Sequence, residues 1–202
     1  MIIKRDIQFQ RVGIECADAY APMADNVLDV FEQLANAGSS IASGMQIRFG
    51  WSLLHLLAGA DGLRVAEPDF ARWPERHWNP TLDITLDVLA AQTSLLRHFD
   101  IEGEDVFYDQ VILAAPGSLA QPNIFLRRAA YAMAEDSGWL LGSLEDPEAL
   151  SRAEELDAVS IASLVYRHPA LLQALTLPPG FIAVFADSVL QQIYDAAGRA
   201  LK

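Results

Sequence analysis

The sequence predicts an α+β fold, with antiparallel sheets and flanking helices, and three observations favour this class. Hairpin patterns recur along the chain, amphipathic helical patterns fall between them, and strand and helix do not alternate regularly as they do in a doubly wound sheet. With 202 residues, 52% of them hydrophobic, the chain can bury a sizeable core. This length allows one domain or two small lobes.

The N-terminal part of the chain predicts strands around one helix. A short strand is expected over residues 2–12. Pro22 begins a helix whose apolar residues recur every three or four positions, and Gly38 ends it. Between Ile47 and Leu53, apolar and polar residues alternate, which predicts a strand. The turn residues Ala60-Asp61-Gly62 then predict a hairpin with the strand that follows.

A long loop and a second helix come next. The segment from Glu67 to Pro80 has neither a helical nor a strand period, and it contains three prolines and two tryptophans. We expect an ordered loop that is held in place by its aromatic side chains. From Leu82 to Leu96 the apolar residues recur at helical spacing, and the length of the pattern favours a helix.

The rest of the chain predicts an antiparallel run of strands, followed by a helix, a strand and a closing helix. Pro116-Gly117 marks a turn between the first two strands. We predict a boundary between two lobes at residues 116–122, where two prolines and a glycine interrupt the expected strands. The N-terminal lobe covers residues 1–120 and the C-terminal lobe covers residues 121–202. The expected strands cover residues 106–114, 124–133, 139–144 and 181–185, and the expected helices cover residues 159–166 and 187–201.

The charge balance is strongly acidic. The chain has 14 Lys and Arg against 27 Asp and Glu, which gives a formal net charge of −13. Such a field repels phosphate backbones and anionic lipid, so nucleic-acid binding is disfavoured, whereas encounter with a basic partner is faster. Solubility alone is the alternative explanation for this acidity.

Three features predict a soluble cytoplasmic protein. The first basic residues are not followed by an apolar stretch of signal-peptide length, and no window approaches eighteen uncharged apolar residues. Cys16 is the only cysteine, which excludes an internal disulfide and suits a reducing compartment. We therefore expect no membrane partner.

The motifs of common enzyme classes are missing, so we expect no catalytic residue, metal or cofactor. There is no G-x-S-x-G elbow and no glycine-rich phosphate loop. Cys16 lacks a neighbouring cation that would activate its thiol, so an inert or partly buried thiol is expected. The side chains of Arg127 and Arg128 should point to opposite faces of a strand, giving one structural ion pair and one exposed charge. The histidines stand singly, without metal-ligand spacing, at His55, His77, His98 and His168.

Two acidic clusters, Asp100–Asp109 and Glu135–Asp157, lie near tryptophans and tyrosines in the sequence. Protein interfaces favour large aromatic side chains within a polar rim. Acidic and aromatic residues together therefore indicate a docking site for a basic protein. In the alternative interpretation, at least two of the four tryptophans are core or loop anchors.

The stretch Asp136-Ser137-Gly138-Trp139 predicts a turn that leads into a strand. The aspartate can accept a hydrogen bond from a backbone N–H two residues on, and glycine permits a positive φ. Together with Arg127-Arg128 before it, an acidic segment after it and Pro178-Pro179-Gly180-Phe181 near the end, this stretch resembles a family of bacterial immunity proteins that is recognised by a D-S-G-W core. The resemblance covers about residues 121–202.

The resemblance implies an antitoxin-like role: a cytoplasmic protein that binds a cognate, basic polymorphic toxin and blocks it. A small hydrolase or ligand-binding enzyme is the alternative, with a pocket at the Trp73–Trp78 loop, His77 as base and Glu67 or Asp69 as its orienting partner. A housekeeping scaffold is the third possibility. The candidate toxin contacts are Asp105, Asp109, Glu135, Asp136, Ser137, Trp139, Glu145 and Asp146.

Overall fold

The computed structural model describes residues 1–74, 76–129 and 136–202. The chain forms two compact units, Met1–Ala90 and Ala91–Lys202. Each unit has its own mixed sheet, so the predicted α+β class is confirmed. Residues 116–122, where the sequence predicts a boundary between lobes, lie inside the second unit.

In the described residues of the first unit, one long helix accompanies a sheet of six strands. The helix is α1 (Ala21–Asn36), and the strands are β1 (Ile2–Ile7), β2 (Gln10–Glu15), β3 (Gln46–Phe49), β4 (Ser52–Gly59), β5 (Gly62–Pro68) and β6 (Trp78–Asn79). Their order is β1-β2-β5-β4-β3, and β6 pairs with β5. The β2–β5 pair is parallel, and the other pairs named here are antiparallel.

Two strand predictions for this unit are wrong in detail. Residues 2–12 contain a hairpin rather than one strand, since the backbone turns at Gln8 with a φ of 54°. The alternating stretch from Ile47 to Leu53 spans two strands, because the chain turns at Gly50 with a φ of 55°. Alternation that continues across a tight turn hides the turn. The predicted α1 and the β4–β5 hairpin are confirmed.

The core of the first unit lies where α1 meets the sheet. Phe31 of α1 is fully buried in a cluster that contains Ile14, Leu54 and Val65 from three strands. Burying side chains of this size contributes roughly 1.5–3 kcal/mol each. Cys16 belongs to the same cluster at 3% exposure, and burial raises the pKa of its thiol. The prediction of a buried thiol is therefore confirmed.

Helix α2 (Asp83–Phe99) confirms the helix predicted from Leu82. It begins in the first unit and ends in the second. In the described part of the second unit, a sheet has the order β10-β7-β9-β8-β11-β12. Its strands are β7 (Val111–Ala114), β8 (Asn123–Arg128), β9 (Asp136–Ser143), β10 (Asp157–Ser160), β11 (Ile182–Ala186) and β12 (Val189–Tyr194), and its short helices are α3 (Ile161–Arg167) and α4 (Pro169–Leu172).

The second unit confirms α3 and β11 and corrects two other predictions. β7 and β9 pair in parallel, so the expected run of strands is not purely antiparallel. The predicted closing helix is wrong, because Asp187 and Ser188 adopt φ values of 47° and 63° and turn the chain into β12. Two consecutive left-handed residues make a tight hairpin turn. The apolar residues of β12 do not alternate regularly, and a bulge in the β11–β12 pair accommodates their spacing.

Within the described residues, the helices are too short or too polar to cross a lipid bilayer.

Candidate functional site

The D-S-G-W stretch lies inside β9 and forms a bulge there. Its Gly138 has a φ of 76°, and the Gly138 N–H donates to Asp136 Oδ1 at 2.8 Å. These two features confirm the predicted local geometry, but the strand begins at Asp136 rather than after the turn. The register of β9 against β7 shifts between Val111 and Leu113 of β7. Over this short span β9 has more residues than β7, and the extra residues of β9 form the bulge.

Ser137 fastens the bulge to the neighbouring strand. Its side chain is 3% exposed, and its Oγ donates to the Val111 carbonyl at 2.6 Å. The Trp139 N–H donates to the same Oγ at 3.3 Å. The side-chain oxygens of Asp136 and Ser137 therefore form hydrogen bonds with backbone groups of their own unit.

Trp139 is fully buried, at 0% exposure, so the expectation of a surface indole is wrong. Its Nε1 donates to the Leu175 carbonyl at 2.9 Å, and the guanidinium carbon of Arg128 lies 5.8 Å from the ring centroid. Trp51 is also buried, at 2% exposure. The alternative interpretation, in which at least two tryptophans are anchors, is thereby confirmed.

Arg127 and Arg128 point to opposite faces, as predicted. Arg127 is exposed, whereas Arg128 is 5% exposed and lies 3.3 Å from a carboxylate oxygen of Glu104. Its Nη1 also donates to the carbonyl oxygens of Leu177 at 2.6 Å and Glu104 at 3.2 Å. Burial lowers the pKa of this guanidinium, and Glu104 opposes that change. Nothing local in the sequence marks Glu104, 24 residues away, as the partner.

The second acidic cluster is divided between the two ends of the second sheet, and Asp105 and Asp109 of the first cluster lie at one of these ends. β9 starts at Asp136 and ends at Ser143, a rise of about 23 Å at ~3.3 Å per residue. Asp105 and Asp109 precede the start of β7, which is parallel to β9, so they lie at the Asp136 end. Glu145 follows the other end of β9. The predicted contacts therefore do not form one patch, and Glu135 lies outside the described residues.

We call residues 145–157 the acidic segment. Its one cation, Arg152, pairs with Asp146 at 3.1 Å and with Glu155 at 3.0 Å. Six acids against one arginine leave a local formal charge of −5. The exposed carboxylates of the segment belong to Glu145, Asp146, Glu148, Glu154, Glu155 and Asp157.

A cleft of about 200 Å³ separates part of the acidic segment from the loop at residues 115–121. Glu145, Asp146 and Glu155 line it together with Arg152. The Glu145 N–H donates to Ser143 Oγ at 3.1 Å, which holds the start of the segment against the end of β9. Carboxylates accept strong charge-assisted hydrogen bonds from Lys and Arg, so this cleft suits cationic side chains of a partner.

The loop of the enzyme alternative makes the predicted aromatic contacts, but its two ends are not loop: Glu67 pairs with Asn79 and Pro68 with Trp78 as parts of β5 and β6. Trp78 meets His55 edge to face with centroids 4.4 Å apart, and Phe70 stacks on Trp51 at 5.1 Å. Trp73, in contrast, is 68% exposed.

The residues assigned to catalysis in that alternative have other contacts. Glu67 is fully buried, and its carboxylate accepts from the N–H groups of Ile84 at 3.3 Å and Thr85 at 2.6 Å in the first turn of α2. Burial raises the pKa of Glu67 to about 7. Asp69 pairs with Arg72 at 3.5 Å, and His77 is exposed. Glu67 is thus a helix cap.

Across the residues that the structure describes, no group of three or more His, Cys, Asp and Glu is arranged to hold a metal ion. The histidines predicted to be structural include His55, which lies in β4, and His98, which lies in the last turn of α2.

The second unit is thus an α+β domain whose most distinctive surface is acidic and whose D-S-G-W stretch is internal. Its class is that of the immunity-protein-like domains: the model of the Imm33-like domain matches residues 91–196, which is more than half of the chain. The chain belongs to this Imm33-like family. No curated protein and no solved structure matches the chain.

Proposed function

We propose that this protein is an immunity protein that binds and neutralises a cognate, basic bacterial toxin through the end of the second unit that carries the acidic segment. Membership of the Imm33-like family supports the immunity role. The single observation that supports the binding surface is the presence of six exposed carboxylates and only one arginine in the acidic segment.

The mechanism is stoichiometric binding without catalysis or a cofactor. The negative field of the acidic segment accelerates encounter with a basic protein, and the cleft beside it accepts Lys or Arg side chains. We place the encounter in the cytoplasm, where the free thiol of Cys16 stays reduced.

Among the predicted contacts, the proposal centres on Glu145 and Asp146, which line the cleft. The side chains of Asp136, Ser137 and Trp139 are engaged inside the unit and act by holding β9 in place. Asp105 and Asp109 lie at the opposite end of the sheet and therefore serve as a test of position.

The experiment is coexpression with the polypeptide encoded immediately upstream, with growth as the readout. Glu145→Lys with Glu148→Lys should abolish rescue. Within the described ranges of the chain, neither carboxylate forms an ion pair that would hold the fold. The matched control, Glu102→Lys with Asp105→Lys, makes the same charge change at the other end and should still rescue. Loss of rescue in the control alone would place the toxin contact at the end of the sheet that carries Asp105. Failure of the unaltered chain to rescue growth would contradict the immunity function.

A further inference from the structure

The second sheet is apolar on both faces. In β7, Ile112 and Ala114 are buried, yet the alternate positions Val111 and Leu113 are also aliphatic and only half-buried. β11 repeats the pattern: Ala183 and Phe185 are buried, while Ile182 and Val184 are half-buried. A mixed or antiparallel sheet with one solvated face usually alternates apolar with polar residues, so the half-exposed aliphatic side chains on the second face are available to contact a partner.

The strand register brings the second-face residues into one line. Ala158 pairs with Leu113, which pairs with Leu140; Leu140 pairs with Arg127, which pairs with Ile182; and Ile182 pairs with Tyr194. Paired residues point to the same face of a sheet. We call this line the outer row. It crosses all six strands, and five spacings of ~4.8 Å make it about 24 Å wide.

Arg127 stands in the middle of the outer row, between Leu140 and Ile182. It is exposed, and no ion pair joins it to another residue in the part of the chain that the structure describes. Arginine and tyrosine surrounded by aliphatic side chains are the residue types that dominate binding energy at protein interfaces.

The acidic segment borders the outer row on the same face. Ala149 and Leu150 of this segment pack on Phe125, and Leu140 and Ile182 are partly buried against the same cluster. The exposed carboxylates of the segment therefore surround one side of an apolar surface. An apolar centre with a polar rim is the usual anatomy of a protein interface.

We propose that the outer row is the apolar centre of the toxin contact and that the acidic segment is its rim. This inference depends on the proposed function and deepens it. The matching toxin surface carries an apolar patch, a carboxylate or carbonyl that accepts from Arg127, and Lys or Arg residues facing the acidic segment. Charge complementarity selects this occupant over a second copy, because a symmetric dimer through this face would bring two acidic segments together.

The test is calorimetric titration of the full chain with the purified C-terminal domain of the upstream-encoded polypeptide. Leu140→Thr with Ile182→Thr keeps β-forming residues and replaces half-buried leucine and isoleucine with polar side chains. We expect affinity to fall at least ten-fold, with a loss of melting temperature no larger than that of the control variant described next. Leu53→Thr with Leu57→Thr, at half-buried positions of β4 in the first unit, is the matched control and should bind like the unaltered chain.

A second variant tests the centre of the row by itself. Arg127→Ala should weaken binding at least ten-fold, while its exposed side chain leaves the fold intact. Both row variants could bind with unchanged affinity while the double variant Glu145→Lys with Glu148→Lys binds more weakly. This result would refute the outer row as a toxin contact and would leave the proposed function standing. No binding by the unaltered chain would overturn both. A dimer that the Leu140 and Ile182 changes dissociate would make the row a self-association surface and overturn the assignment to a toxin.

Discussion

Trp139→Ala should destabilise the second unit severely, whereas Trp73→Ala should not affect it. Trp139 is 0% exposed, so its truncation leaves a cavity that costs about 3–5 kcal/mol. Its Nε1 bond to the Leu175 carbonyl, 2.9 Å long, adds about 1 kcal/mol. The total of about 4–6 kcal/mol approaches the whole stability of a typical domain, ~5–15 kcal/mol.

Urea denaturation followed by circular dichroism measures these free energies of unfolding. Trp73 is 68% exposed and lies in the first unit, so its substitution should change stability by no more than about 0.5 kcal/mol. Trp139→Phe is an intermediate case that keeps most of the buried area and should cost about 1–2 kcal/mol through the lost hydrogen bond. A Trp139→Ala protein as stable as the unaltered chain would refute the structural role of the D-S-G-W stretch.

Three further predictions concern other parts of the fold. Arg128→Met should cost about 2–3 kcal/mol in a urea titration, because it removes charge-assisted bonds to buried carbonyls, whereas Arg127→Met should cost less than about 0.5. The pKa of Glu67, raised from 4.5 to about 7, favours its protonated form in the folded state, so its contribution is fully present below about pH 4.5 and is lost as pH rises through 7. Denaturation at pH 5 and pH 8 should show this loss, at most roughly 3 kcal/mol, and Glu67→Gln should remove it. Asp187→Asn with Ser188→Gly should raise the melting temperature through a stabilisation of about 0.5–1 kcal/mol, whereas a helix at this position would lose stability.

Local signals predicted the elements whose geometry is decided locally. The apolar stripe and Pro22 of α1, the Asp61-Gly62 hairpin and the opposite faces of Arg127 and Arg128 follow from backbone periodicity and turn chemistry, and all are confirmed. The hydrogen bond from Gly138 to Asp136 is of the same kind. Such features need no knowledge of distant residues.

The features that depend on distant residues were mispredicted. Trp139 was expected at the surface because acids flank it, but its burial depends on Leu175 and Arg128, which the sequence does not connect to it. The predicted closing helix is wrong because Leu190 and Ile193 have helical spacing, whereas a bulge in β12 places both opposite buried residues of β11 after the left-handed turn. The predicted single acidic patch does not form, because parallel pairing of β7 and β9 places Asp105 and Asp109 at the end of the sheet opposite to the acidic segment.

The most direct test of the central claim is the salt dependence of toxin binding. Association rates of the full chain with the upstream-encoded toxin domain should fall steeply between low and physiological salt, since the acidic segment steers a basic partner. Glu145→Lys with Glu148→Lys should lower the low-salt rate and flatten this dependence, whereas Glu102→Lys with Asp105→Lys should leave it nearly unchanged. Equal effects of the two double variants would contradict the account, because net charge and not the acidic segment would then drive binding.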